Sequence, residues 1–350
     1  MSQPGYYRFP TLFQDQITFV SEDDLWTVSA SGGTARRLTS GLGAIQYPSY
    51  SPDGRWLAFS GRDEGPLEVF LMPAEGGQPR RLTFLGTQSR VIGWKNPREI
   101  IFSSNAGQPF YADFRLFTIS LDGGQPRRLP WGPGFSLSFG PQGACAIGRN
   151  AVDPARWKRY RGGTAGEILI DVSGTGHFRK LVKTGGNLAY PMFIGSRVFF
   201  LSDHEGVGNL YSCRPDGSEI RRHTHHEVFY VRHPASDGAR IVYHAGADLY
   251  LFDPKRKQTE RIAVDYHSPR TQLFRRFIDA SVYLEDAHQH PQGHLLGLIV
   301  RGKPVTLGNW NGPVQQFGNA EGVRYRLFRW LKDGRRFVVC SDEPGEECLE

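Results

Sequence analysis

The stretch "YPSYSPDGRWLAFSGRDEGPLEVFLMPAEGGQPRRL" (Tyr47–Leu82) decides the fold. Two apolar or alternating runs flank a tight "SPDG" turn, a third run starts at Glu68, and a glycine hairpin leads into "RRL". That order reads as four short antiparallel strands. The closing heptapeptide "GGQPRRL" (Gly76–Leu82) returns unchanged at Gly123–Leu129, 47 residues later, and a cousin, "GGTARRL", stands at Gly32–Leu38, 44 residues earlier. Its glycines suit a turn with φ > 0, and its proline suits an edge strand that can spare an N–H. The paired arginines protect that edge from strand addition by another molecule. A repeated anion site is the alternative use for the same arginines.

The unit repeats along the chain. Strand pairs around a turn recur at Phe9–Ser21, Arg90–Ser104, Phe135–Arg149, Tyr190–Asp203 and Tyr230–Gly246. A third strand follows each, as in "DLWTVSA" from Asp24, "RLFTISL" from Arg115 and "DLYLFDP" from Asp248. A period of about 40–50 residues with four strands per repeat is that of a β-propeller blade. One such sheet buries too little to be stable, and packing both faces against neighbours around an axis solves the problem. Leu57 and Phe59 then face one neighbouring blade and the residues between them the other. The fold class expected is all-β: a six-bladed β-propeller over residues 1–265, with every blade taking its strands in chain order. No strand is left over to close the ring, so closure is expected from side-chain packing, without a shared (velcro) sheet. Residues 266–350 resume the pattern, and "RWLKDGRRFVVCSD" repeats "SYSPDGRWLAFSG". They read as the first blade and part of the next blade of a second, seven-bladed propeller, as though the chain were the front of something longer.

Composition narrows the function classes. The 350 residues carry 42 Lys+Arg against 35 Asp+Glu, a net charge of +7. The excess lies in arginine pairs spread evenly along the chain, whereas nucleic-acid binding needs a patch, so no nucleic acid is expected. No apolar run reaches the roughly 18 residues of a membrane span, so no membrane is expected either. The start lacks a cationic segment followed by an apolar one, which argues against a cleaved secretory signal. Four dispersed cysteines, Cys145, Cys213, Cys340 and Cys348, make no disulfide framework. A cytoplasmic location follows.

The "SPDG"-centred unit resembles the broad TolB-like and WD40-like propellers. The segments "IGRNAVDPARWKRYRGGTAGEILIDV" (Ile147–Val172) and "FVSEDDLWTVSASGG" (Phe19–Gly33), with the order of blades, closely resemble the N-terminal region of the tricorn protease family. The resemblance covers essentially the whole chain. It implies a large cytosolic serine peptidase, hexameric, that degrades oligopeptides released by the proteasome or comparable proteases. In that family a six-bladed propeller precedes a seven-bladed one, a PDZ-like domain and the catalytic core, and the propellers act as filtered channels. The resemblance places the nucleophile and base beyond Glu350, so no catalytic residue is assigned to this chain, and no cofactor. The family holds a substrate's C-terminal carboxylate with two adjacent arginines in the loop entering the third blade. Here that loop, "TFLGTQSRVIGW" (Thr83–Trp94), has the single Arg90. Partners implied are oligopeptides, the remaining domains of the peptidase, and further copies of the chain. The competing reading is a non-catalytic TolB-like scaffold that binds a protein partner.

Other candidates come from the residues themselves. His223 with His225 (beside His226), or His288 with His290 (near His294), share a strand face and could bind a metal, yet no cysteine or carboxylate pattern completes a site. No metal is expected. "WKRYRGG" (Trp157–Gly163) mixes cations with aromatics and suits stacking on a peptide or base, packing across the propeller face, or a subunit contact. Glu22, Asp23 and Asp24 suggest a cation site or, more simply, a hairpin turn.

Overall fold

The structure, a computed structural model, describes residues 5–41, 43–63, 65–274, 278–319 and 321–350. The chain divides into two units, Met1–Gln272 and Leu273–Glu350. Among the described residues, the first unit contains six four-stranded antiparallel sheets, each taking its strands in chain order. Their innermost strands are Arg8–Phe13, Gln46–Tyr50, Ser89–Asn96, Ser136–Phe139, Leu188–Ile194 and Arg232–Ser236. Each inner strand contacts the next, and the sixth contacts the first. This closed circle of radial sheets is the propeller arrangement.

The alternation read from the sequence sets the packing. Leu57 and Phe59 join Phe9, Val20 and Leu25 of sheet one, while Ala58 joins Val91, Ile100 and Phe102 of sheet three. The same division recurs on sheet five, where Val198 and Phe200 face sheet four and Phe199 and Leu201 face sheet six. The core is therefore six separate apolar seams instead of one central mass. The axis itself is left to the inner strands.

Closure differs from expectation in one respect. Sheets one and six do pack through side chains, Val242 and Leu249 clustering with Ile17, Phe19 and Trp26. Tyr266, just beyond sheet six, adds its ring 4.7 Å from that of Trp26 and 5.5 Å from that of Tyr7. Packing does not act alone, because Val264–Asp265 pairs in parallel with Gly33–Thr34. Gly33 N donates to Ala263 O and Ala35 N to Asp265 O, both at 2.9 Å. The chain leaving sheet six runs along the outer turn of sheet one, whose exposed backbone groups need partners. Gly32 permits the approach, since a Cβ there would sit 2.6 Å from Ala263 O.

The repeated arginines occupy the outermost strands, as expected: Arg36–Arg37, Arg80–Arg81, Gly123–Arg128, Arg179–Lys180 and Arg221–Arg222. Their turn glycines have positive φ, 109° at Gly76 and 87° at Gly123. The first cation of a pair reaches the next sheet's outer turn: Arg36 donates to Glu75 O, Arg80 to Leu121 O, and Arg179 to Pro215 O. The second turns inward to an acid that opens the third strand, giving Arg37–Asp24, Arg81–Glu68 and Lys180–Glu167. The threonine two residues on completes the unit. Thr83 Oγ1 accepts from Val69 N at 2.8 Å and donates to Glu68 Oε2 at 2.5 Å. Thr39 with Asp24, and Thr224 with Asn209, repeat it. At Gly76–Leu82, and in its cousin at Gly32–Leu38, the segment is thus a structural fastening within and between sheets, a role that needs no anion. At Gly123–Leu129, by contrast, Pro130 stands where the threonine would be.

The second unit holds a four-stranded sheet (Leu284–Gln289, Leu295–Val300, Lys303–Gly308, Gln315–Gln316) and a three-stranded one (Tyr325–Trp330, Phe337–Ser341, Cys348–Leu349). Ile299, Tyr325, Phe328 and Val339 form its core.

Candidate functional site

All six inner strands border one cavity of about 490 Å³ on the axis, lined by residues such as Thr11, Ser51, Trp94, Ser138, Phe193 and Asp237. Toward the other face it gives way to a space of only about 90 Å³, lined by Phe9, Tyr47, Arg90, Phe135, Tyr190 and His233 with Val152. The narrowing has a local cause. In sheets one, two, five and six the inner strand carries an aromatic residue or histidine followed by proline: Phe9-Pro10, Tyr47-Pro48, Tyr190-Pro191 and His233-Pro234. Each dipeptide falls in a register shift of its ladder. The four leading residues have φ of 48°, 53°, 53° and 46°. Such a backbone costs on the order of 1–3 kcal/mol per residue outside glycine, and a bulge re-aims the side chain it carries. Here the re-aimed rings converge. Phe9 lies 4.1 Å from His233 and 4.6 Å from Tyr47, and Tyr190 lies 6.0 Å from His233.

Arg90 enters this constriction from sheet three, which lacks the aromatic–proline step. Its guanidinium lies 4.4 Å over the Phe114 ring and 5.9 Å from that of Phe135. Its Nη1 is buried without a hydrogen-bond partner among the described residues. Behind the rings, His233 Nδ1 and His244 Nε2 share a hydrogen bond of 2.9 Å, and burial holds both imidazoles well below their ordinary pKa. Residues 150–166 fold over this end. Asp153, buried, accepts from Arg232 Nε at 2.9 Å, and Arg159 N donates to buried Asp203 at 2.7 Å.

The profile of the Tricorn protease N-terminal beta propeller domain matches residues 4–258. The chain belongs to the tricorn protease family. It is 36% identical over 337 residues to a tricorn protease homolog of Saccharolobus solfataricus, covering 94% of this chain and 31% of that relative. Tricorn protease homolog 1 of Streptomyces coelicolor is 35% identical over 352 residues, covering 99% of this chain and 33% of the relative. A crystal structure of the tricorn protease superposes with a TM-score of 0.85 at 29% identity, over 99% of this chain and 35% of that one. The chain therefore spans about a third of the length of its tricorn relatives. No helix among the described residues is long and apolar enough to cross a membrane.

Within this tricorn-family propeller the histidine candidates separate. His223 Nε2 bonds Ser212 Oγ at 2.7 Å, and His226 Nε2 bonds Tyr243 Oη at 3.0 Å. His225 is exposed. In the second unit His288 Nδ1 accepts from Trp330 N at 3.1 Å, and His290 Nε2 bonds Gly334 O at 2.8 Å. The His294 ring meets that of His290 edge-on. Among the described residues no three His, Cys, Asp or Glu groups converge as metal ligands. The acidic run is a turn: Glu22 and Asp23 have positive φ, Asp23 pairs with Arg8 at 3.3 Å, and Asp24 fastens Arg37. Sequence reasoning missed the constriction, although its signal was present as an aromatic residue before proline at the start of an inner strand.

Proposed function

We propose that the chain is the channel and scaffold portion of a tricorn-like cytosolic serine peptidase, working on oligopeptides downstream of the proteasome or similar proteases. In this reading the first unit is a six-bladed propeller whose four-stranded sheets share no closing strand, the parallel pair of Val264–Asp265 with Gly33–Thr34 lying outside all six, and the second unit begins a further propeller. The catalytic residues lie outside these 350, and the assembled peptidase is a homo-oligomer. The observation that carries the reading is the axial cavity bordered by all six inner strands and narrowed by Phe9, Tyr47, Tyr190 and His233. Rings on bulged, strained backbone form a fixed sieve, which discriminates by size and not by sequence. Arg90 adds a cation beside it, and a guanidinium with an unsatisfied Nη1 takes a peptide carboxylate.

Two measurements test this. The isolated chain is expected to cleave no fluorogenic peptide above background, and cleavage abolished by a serine-directed inhibitor would refute the assignment. In the peptidase carrying the remaining domains, the Tyr47→Ala, Tyr190→Ala pair should raise turnover of long peptides relative to short ones. Arg90→Ala should raise KM for peptides with a free C-terminus and leave their amidated forms unchanged. Identical length profiles with and without the tyrosines would remove the sieve.

A further inference from the structure

The loop that crosses from the second to the third strand of sheet four has a buried acidic underside and a cationic outer surface. It is anchored at three points: the Asp153 carboxylate is tied to Arg232, Asp203 accepts from Arg159 N, and the Asn187 amide donates to Trp157 O at 3.2 Å. The side chains of Arg156, Trp157, Lys158, Arg159 and Arg161 project outward and are exposed. None of these four cations is ion-paired within the described residues, whereas the outer-strand arginines elsewhere are largely committed to sheet fastening. Beside the loop lies a hollow of about 360 Å³ with walls of Tyr6, Val228, Phe229 and Tyr230 and with Lys158 at its rim. Phe229 and Val228 are exposed, and Lys158 Nζ stands 5.5 Å from the Tyr230 ring. Neither this hollow's apolar wall nor the cations border the axial cavities.

We propose that this surface is a docking site for an acidic peptide segment carrying an aromatic or aliphatic residue. The apolar side chain enters the hollow against Phe229 and Tyr230, and flanking carboxylates pair with Arg156, Lys158 and Arg161. Charge complementarity selects the occupant. Unpaired cations in one six-residue stretch anchored at Trp157 O and Arg159 N fit a short run of carboxylates, and guanidinium groups bind these bidentately. A nucleic acid would need cations that track phosphates well beyond one loop. The apolar wall adds a requirement that a phosphate backbone does not meet. The site stands whether or not the axial cavity passes peptides.

The test is fluorescence anisotropy on the whole chain with a labelled peptide of sequence Asp-Glu-Asp-Phe-Asp-Glu. Comparison probes are the same peptide with Gly for Phe, a lysine-for-acid version, and a single-stranded oligonucleotide of equal charge. Binding of the first peptide is expected to weaken at least about tenfold in the Arg156→Glu, Arg161→Glu variant, and on raising salt, as for charges at an interface rim. Phe229→Ala and the Gly-for-Phe peptide should each weaken it about fivefold. All three substituted residues are exposed. Arg156→Gln, Arg161→Gln supplies a milder variant, expected to weaken binding about threefold, should charge reversal disturb the fold. Absence of binding, equal binding by both charge variants, or tighter binding of the oligonucleotide would each overturn the proposal.

Discussion

Glu68 and Asp248 stand at the same place in two copies of the repeat, yet their substitution should differ severalfold in cost. Glu68 is 1% exposed and its partner Arg81 21%, whereas Asp248 and Arg261 are 35% and 65% exposed. Glu68 accepts from Thr83 Oγ1, from Gly86 N at 2.8 Å and from Arg81. Glu68→Ala therefore takes the acceptor from the Gly86 N–H and, above all, removes the carboxylate beside a mostly buried guanidinium. Breaking such a pair costs about 3–5 kcal/mol. Asp248→Ala removes one surface pair worth at most about 1 kcal/mol. For a unit of this size 1 kcal/mol moves Tm by about 2–4 °C, so the first variant should melt about 6–20 °C lower and the second within about 4 °C of the parent. Differential scanning fluorimetry on the purified variants measures this directly. Hydrogen exchange should locate the first loss in Val69–Gly86. Equal shifts for the two variants would show that burial does not set the strength of the fastening, and the reasoning would fall.

Further expectations follow from other parts of the molecule. Gly32→Ala puts a Cβ 2.6 Å from Ala263 O at φ 90°, so hydrogen exchange should rise at residues 33–35 and 263–266. Unchanged protection there would show that the parallel pairing does not help to close the ring. Burial and neighbouring arginines push the His223 imidazole down to about 4 from an ordinary 6.5. Between those values the unfolded chain binds a proton that the folded chain does not, so stability falls as pH drops. Between pH 7 and 5 His223→Gln should lose about 1–2 kcal/mol less than the parent in urea unfolding, after discount for partial exposure. In the second unit Phe328 is fully buried and Trp310 is 92% exposed. Phe328→Ala should cost about 3–5 kcal/mol and Trp310→Ala less than about 0.5, read from exchange of residues 325–341.

The sequence by itself determined the repeating unit, because each strand pair writes its alternation and each turn its glycines within about 40–50 residues. It also placed the paired arginines on outer strands. It could not show what those arginines hold: the Arg81 partner Glu68 is 13 positions away, and the Arg80 acceptor Leu121 is 41. Those distances in sequence vanish only when sheets pack. Nor could the sequence show that Phe328 is fully buried, in a seam between the two sheets of the second unit. Which member of each fastening is buried, and therefore strong, is a property of the seam. The axial constriction is the clearest case. Phe9, Tyr47, Tyr190 and His233 lie as far as 224 positions apart, and each by itself is an ordinary residue before proline. They form one narrow space because strand order fixes which end of every sheet faces the axis, and backbone bulges then turn the rings into it. Local pattern wrote the parts, and closure of the ring decided where they meet.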